Sequence, residues 1–196
     1  MRFVFPRYEP PESQALSVPV WAGAPSDEVP GLTAIRLAVA TPRGSVRIHS
    51  VEAYSRGFLM TVESRLPQRR LSAAELRSAA SFQRESSHES EIHERLAVKV
   101  VFADRTALRV EQAKLTPREP ATPEPGEMLI VLLSHSGGSS GDSISAVGRR
   151  LWFTRLPPPG LVSISVSWKG ILASSSRLTF EADSILDAAR TVIPAW

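Results

Sequence analysis

Apolar and polar residues alternate along much of this chain with a period of two, the period that puts successive side chains on opposite faces of a β-strand. The clearest run is Leu161 to Trp168, where Val162, Ile164, Val166 and Trp168 alternate with Ser163, Ser165 and Ser167. Leu156-Pro157-Pro158-Pro159-Gly160 precedes this run and Lys169-Gly170 follows it, so turn-forming residues mark both its ends. Ile35, Leu37 and Val39 alternate in the same way within 32–40. Val46 and Ile48 begin an alternation that resumes out of phase on Val51 and Ala53, which predicts a β-bulge near His49-Ser50. Phe58, Met60 and Val62 define a third strand, entered through Gly57. Leu96, Val98, Val100 and Phe102 define another, which Asp104-Arg105 turns back into a hairpin over Ala107–Val110. Met128 to Leu133 is apolar at every position, as a strand covered on both faces would be. Further strands are expected over 146–155 and 177–180.

Helical spacing is confined to two places. Ala73–Arg84, with Ser72 and Glu75 in capping-box positions, predicts an inserted helix, and the polar tract Glu85–Glu94 after it reads as a solvated linker. Near the C-terminus, Ile185, Leu186, Ala189 and Ile193 form an apolar stripe on a helix expected over Ser184–Val192 with Asp183 as its cap. The tract His135–Ser143 reads as a flexible Gly/Ser loop. Residues 1–30, rich in proline, are expected to run extended over the domain with Phe3, Phe5 and Trp21 as anchors. Many short strands without β-α-β alternation point to a mainly β protein. The expected fold is an antiparallel β-sandwich of immunoglobulin-like type, with a C-terminal helix and one inserted helix. A β-barrel is the competing architecture. The expected organisation is an extended segment over 1–30 and a single domain over 31–196, with a helical and polar insertion at 67–95.

Composition narrows the function classes. The chain has 196 residues and no cysteine, so disulfides and thiolate chemistry are excluded and a reducing cytoplasm is the natural compartment. Met1–Ser13 has proline and charge where a signal peptide needs an apolar stretch, and no apolar run is long enough for a membrane-spanning helix. The 23 Lys and Arg exceed the 20 Asp and Glu by a net charge of only +3 and are scattered, so neither a nucleic acid nor a membrane is an expected partner.

Candidate chemistry is thin. His88 and His93 lie five residues apart in a polar tract, whereas the usual zinc-peptidase helix places its histidines four apart. Ser134, His135, Asp142 and Ser143 hold the residue types of a nucleophilic triad, but a nucleophile needs a rigid turn with its base held beside it. The glycines at 137–141 lead into a strand, not a helix N-terminus, so they form no phosphate cradle. Glu52, Glu63 and Glu111 read as outward strand residues. Trp168 belongs to the core face of its strand, and Trp152 is expected to cross to it. Trp196 is expected to dock on its own domain in preference to a partner. The three prolines at 157–159 read as a rigid connector.

Several segments in order carry a resemblance: Trp21 with Asp27-Glu28-Val29-Pro30-Gly31, Tyr54 to Phe58, Val101 to Ala107, and a Gly-rich tract before an aromatic strand. The sharpest part runs from Trp152-Phe153 through Leu156–Gly160 to Ser167-Trp168, Gly170-Ile171 and the C-terminal helix. With these the chain resembles a family of uncharacterised actinobacterial cytoplasmic proteins. It departs from that pattern where a glycine would follow the Asp104 turn, and at Ser167, where the family tends to carry an acidic residue. The resemblance implies a β-rich single domain and brings no catalytic residues. The resulting expectation is a non-enzymatic module that binds another protein or itself, with no cofactor or metal. Ser163, Ser165, Ser167 and Trp196 are its candidate contact residues. The alternative is a serine-type hydrolase using Ser143 or Ser134 with His135.

Overall fold

A computed structural model describes residues 19–67, 96–110, 114–115, 124, 126–140 and 144–196. The chain is mainly β. The larger sheet is built around β4 (Gly44–Ala53), β5 (Phe58–Pro67), β10 (Ile144–Phe153) and β9 (Ile130–Ser140), paired antiparallel in that order. Both β2 (Gly31–Leu32) and β3 (Leu37–Thr41) pair with β4 at one side. At the other side β8 (Lys114–Leu115) adds a short parallel pair to β9. The smaller sheet runs β12 (Ser176–Glu181), β11 (Leu161–Trp168), β6 (Leu96–Val101) and β7 (Ala107–Arg109), all antiparallel. A two-stranded ribbon joins β1 (Glu28–Val29) to β13 (Ile193–Pro194). None of these sheets closes on itself, so the barrel expectation is overturned.

The alternation seen in the sequence explains how the two sheets meet. Val46, Ile48, Phe58, Met60, Val62, Leu151 and Phe153 from the larger sheet are buried in one cluster. Val98, Val100, Val162, Ile164, Val166 and Trp168 from the smaller sheet join them there. At one end of this cluster the Phe58 and Phe153 rings stack with centroids 4.3 Å apart. Phe102, just past β6, meets both edge-on at 6.5 and 6.3 Å. The expected bulge is present as a register shift between Ile48 and Ser50, and it lets Val51 and Ala53 face inward again. The β6–β7 turn is also as expected: Asp104 Oδ1 accepts from the Thr106 amide at 2.9 Å, and Arg105 takes a positive φ of 70°.

Four expectations are corrected. The tract from His135 to Ser140 is not a loop, because it continues β9 opposite residues Ile144–Arg149 of β10. Glycine and serine form poor isolated strands, but β10 is already held by β5 and offers a complete ladder of backbone partners. The C-terminal helix α1 spans Asp183–Ala189 and is shorter than its apolar stripe suggested. Pro194 biases Ile193 to extended backbone, so Ile193 leaves the helix and enters β13, more than half exposed. Asp183 lies in the first turn of α1, and no side chain caps the N-terminus. Trp152 does not reach Trp168: Leu151 and Phe153 point into the main core, so Trp152 between them faces the opposite side of the larger sheet. The inserted helix at 73–84, the polar tract at 85–94 and the anchors Phe3 and Phe5 lie outside the described residues.

The outer side of the larger sheet is therefore not all solvent. Trp152 packs there with Leu59, Val131 and Tyr54, beneath the short 3₁₀ turn Val20–Ala22. Its indole N–H donates to the Trp21 carbonyl at 3.0 Å. Gly57 is required where the β4–β5 turn crosses this indole, since a Cβ there would lie 2.2 Å from the Phe153 carbonyl oxygen and 2.8 Å from the ring. At the far side, Ile185 and Ala188 of α1 join the main core, and the Ala188 carbonyl would lie 1.8 Å from a Cβ on Gly31. The helix thus sits directly on β2.

Truncating Phe153 to leucine removes the stacked contact and half of the edge contacts of Phe102. Stability is expected to fall by roughly 2–3 kcal/mol, read as a lower urea midpoint with an unchanged slope. Trp152→Phe leaves the main core intact, but it orphans the Trp21 carbonyl. Limited proteolysis is expected to cut faster near Val20 in that variant, and an unchanged cleavage rate there would contradict this account of the turn.

Candidate functional site

Ser163, Ser165 and Ser167 all belong to the outer face of β11, as their alternation required. Their environments differ. Ser163 is 4% exposed, and its Oγ accepts from Arg177 Nε at 2.5 Å. Ser165 is half-buried and Ser167 is exposed. Trp196 lies elsewhere, beyond the β1–β13 ribbon, and is 87% exposed. Its expected docking on its own domain does not occur; the ribbon it follows carries further exposed apolar residues, Val29 and Ile193, paired across the two strands.

Cross-strand register adds residues that the sequence reading missed. Ser165 lies opposite Arg177 of β12 on one side and Lys99 of β6 on the other, and Lys99 lies opposite Arg109 of β7. Arg177, Ser165, Lys99 and Arg109 therefore form one row across all four strands of the smaller sheet. All three cations are exposed. Among the described residues no carboxylate pairs with any of them. Their spacing in sequence is far too wide for any local motif, and only strand pairing brings them together. The neighbouring row carries Thr179, Ser163, Val101 and Ala107, so the surface beside the cations is low. The one carboxylate on an outward position of these strands, Glu181, lies four residues along β12 from Arg177, roughly 13 Å away.

The outer face of the larger sheet is organised differently. Glu63 receives Arg47 Nε at 2.7 Å and is also bonded by Arg65 Nε. Glu52 lies 3.8 Å from Arg150 and accepts from the Tyr54 hydroxyl at 3.5 Å. Glu52 and Glu63 are thus outward strand residues, as expected, each engaged with arginine. Partial burial by itself would raise the Glu63 carboxyl, but hydrogen bonds and charge from Arg65 and Arg47 outweigh it and hold the group below its ordinary value. Burial, followed by the nearby Glu52 charge, raises the Tyr54 phenol.

Of the residues proposed for catalysis, Ser134 and His135 are placed by their backbone alone. Ser134 and His135 are consecutive positions of β9, opposite Arg150 and Arg149 with a register shift next to Ser134, and not a strand-to-helix turn. Ser143 lies outside the described residues, as do His88 and His93. Among the described residues no group of three or more acidic or histidine side chains is placed to hold a metal ion. A cavity of about 710 Å³ opens beside residues 19–28 and Arg56. The Arg56 guanidinium, which donates to the Val20 carbonyl and to the Gly23 carbonyl at 3.1 Å, is used there to tie down the N-terminal segment. No helix among the described residues is long and apolar enough to cross a membrane. No family model matches the chain, and no curated protein or solved structure matches it either.

The Glu63 cluster has a pH signature. Its folded pKa lies below the unfolded one, so its contribution is complete above the unfolded value near 4.5 and is lost as pH falls through the folded value. Glu63→Gln is therefore expected to lower stability at neutral pH by up to about 1 kcal/mol and to match the native protein in strong acid. Urea midpoints measured across that range check the sign.

Proposed function

We propose that this protein is a non-enzymatic, immunoglobulin-like β-sandwich of the cytoplasm that binds another protein or a second copy of itself. The outer face of the smaller sheet is its contact surface. The observation that carries this reading is the run of small neutral side chains on that face, where Ser163 lies between Thr179 and Val101, Ser167 lies opposite Ala97, and Ser165 between them adds no bulk of its own. Small neutral side chains let an opposing surface approach the sheet closely, and they lose little rotamer freedom when covered. The resemblance to the actinobacterial family supports the same reading, because the residues it shares serve turns and packing. Nothing in the placement of Ser134 and His135 favours the hydrolase alternative.

Ser165→Trp and Ser167→Trp raise a bulky group from the centre of this face, whereas Ser134→Trp does so on the exposed outer side of the larger sheet. The native protein is expected to sediment as a complex or to retain a partner from its own lysate. Both substitutions on β11 are expected to abolish that association with the thermal transition intact, and Ser134→Trp to preserve it. A native protein that stays monomeric and retains nothing, or an association indifferent to the β11 substitutions, overturns the proposal.

A further inference from the structure

The row Arg177, Ser165, Lys99 and Arg109 states what kind of partner this face fits. We infer that it docks an acidic polypeptide segment lying across the strands, with carboxylates at alternate positions; this rests on the reading of the face as a contact surface. Lys99 and Arg109 are directly opposed across an antiparallel pair, an arrangement in which like charges repel and cost stability. On the larger sheet Glu63 and Glu52 each engage arginine side chains, yet no carboxylate among the described residues relieves Lys99 or Arg109. A ligand carrying negative charge is what relieves them.

The spacing selects the ligand. Adjacent strands lie roughly 4.8 Å apart, so Arg177 and Arg109, three strands apart, are separated by roughly 14 Å. In an extended peptide, side chains on one face recur about every 7 Å, so carboxylates at the first, third and fifth positions span the same length. Between the cations the Ser165 hydroxyl is free of a bulky neighbour on its own strand and can bond the peptide backbone as donor or acceptor. A nucleic acid fits less well. No outward position on the four strands is aromatic, so no base finds a stacking platform. Glu181 at the end of β12 also opposes a phosphate track continuing along the face.

The informative variant is Lys99→Glu. It converts the repulsive pair with Arg109 into an attractive one, so the folded protein is expected to melt at a higher temperature while binding weakens. A purely structural residue would move both in the same direction. With a labelled peptide of alternating glutamate and serine as probe, anisotropy is expected to report binding that weakens steadily as sodium chloride is raised. Lys99→Glu and Arg109→Glu are each expected to weaken it roughly fivefold or more, while Arg190→Glu, the same charge change just past the end of α1, leaves it unaltered. Equal binding of an alternating lysine–serine peptide, unchanged binding by Lys99→Glu, or displacement of the peptide by lower concentrations of a DNA duplex of equal charge would overturn the inference. If a partner lost on Ser165→Trp is still held by Lys99→Glu, the acidic ligand is wrong and the contact surface stands; if Ser165→Trp loses nothing, the surface itself is wrong.

Discussion

Phe58, Phe153 and Phe102 meet at one end of the buried cluster, two from the larger sheet and one from the end of β6 in the smaller. The stack of Phe58 on Phe153 is also a cross-strand pair that aligns β5 with β10, and the edge contacts of Phe102 join the two sheets. Everything outside the core inherits its orientation from this arrangement. With Phe153 inward, Trp152 must face outward, where it needs a cover, and the Val20–Ala22 turn supplies one. With Phe102 inward at the end of β6, the parity of that strand puts Lys99 on the outer face. These three rings together therefore set both the capped side of one sheet and the open side of the other.

The two outer faces solve the problem of charge in opposite ways. On the larger sheet arginine and glutamate are interleaved, and Glu63 takes hydrogen bonds from two guanidinium groups. Such exposed pairs add little stability individually, but each glutamate there is engaged locally by arginine. On the smaller sheet the cations share a row in which the remaining position is a serine. Serine brings no opposite charge to that row and leaves its field unneutralised, which suits steering and register more than folding.

Much of the architecture was legible from local pattern. The bulge near His49-Ser50, the β6–β7 turn and the bounds of β11 all followed from a period of two and its interruptions, because a half-buried strand imposes that period on its residues. The stretch 135–140 was illegible for the converse reason. Its residues have no preference for a strand, and its conformation comes from a neighbour, β10, that already has a fixed edge. The face of Trp152 is illegible because Leu151, Trp152 and Phe153 are all apolar, so no alternation indicates which of them points inward. The length of α1 is illegible too, since the apolar stripe runs on to Ile193, which Pro194 holds in extended backbone beyond the end of the helix.

The sequence by itself determined the alternating strands, the bulge near His49-Ser50, the β6–β7 turn and the serine face of β11. These depend on residues a few positions apart, whose relation the backbone geometry dictates. Only the tertiary structure decided what lies beside those serines. Arg177, Lys99 and Arg109 come from three different strands, and pairing register alone brings them into one row with Ser165. Whether a charge is balanced or exposed is a property of neighbours in space, so a nearly neutral chain contains a face that is distinctly basic.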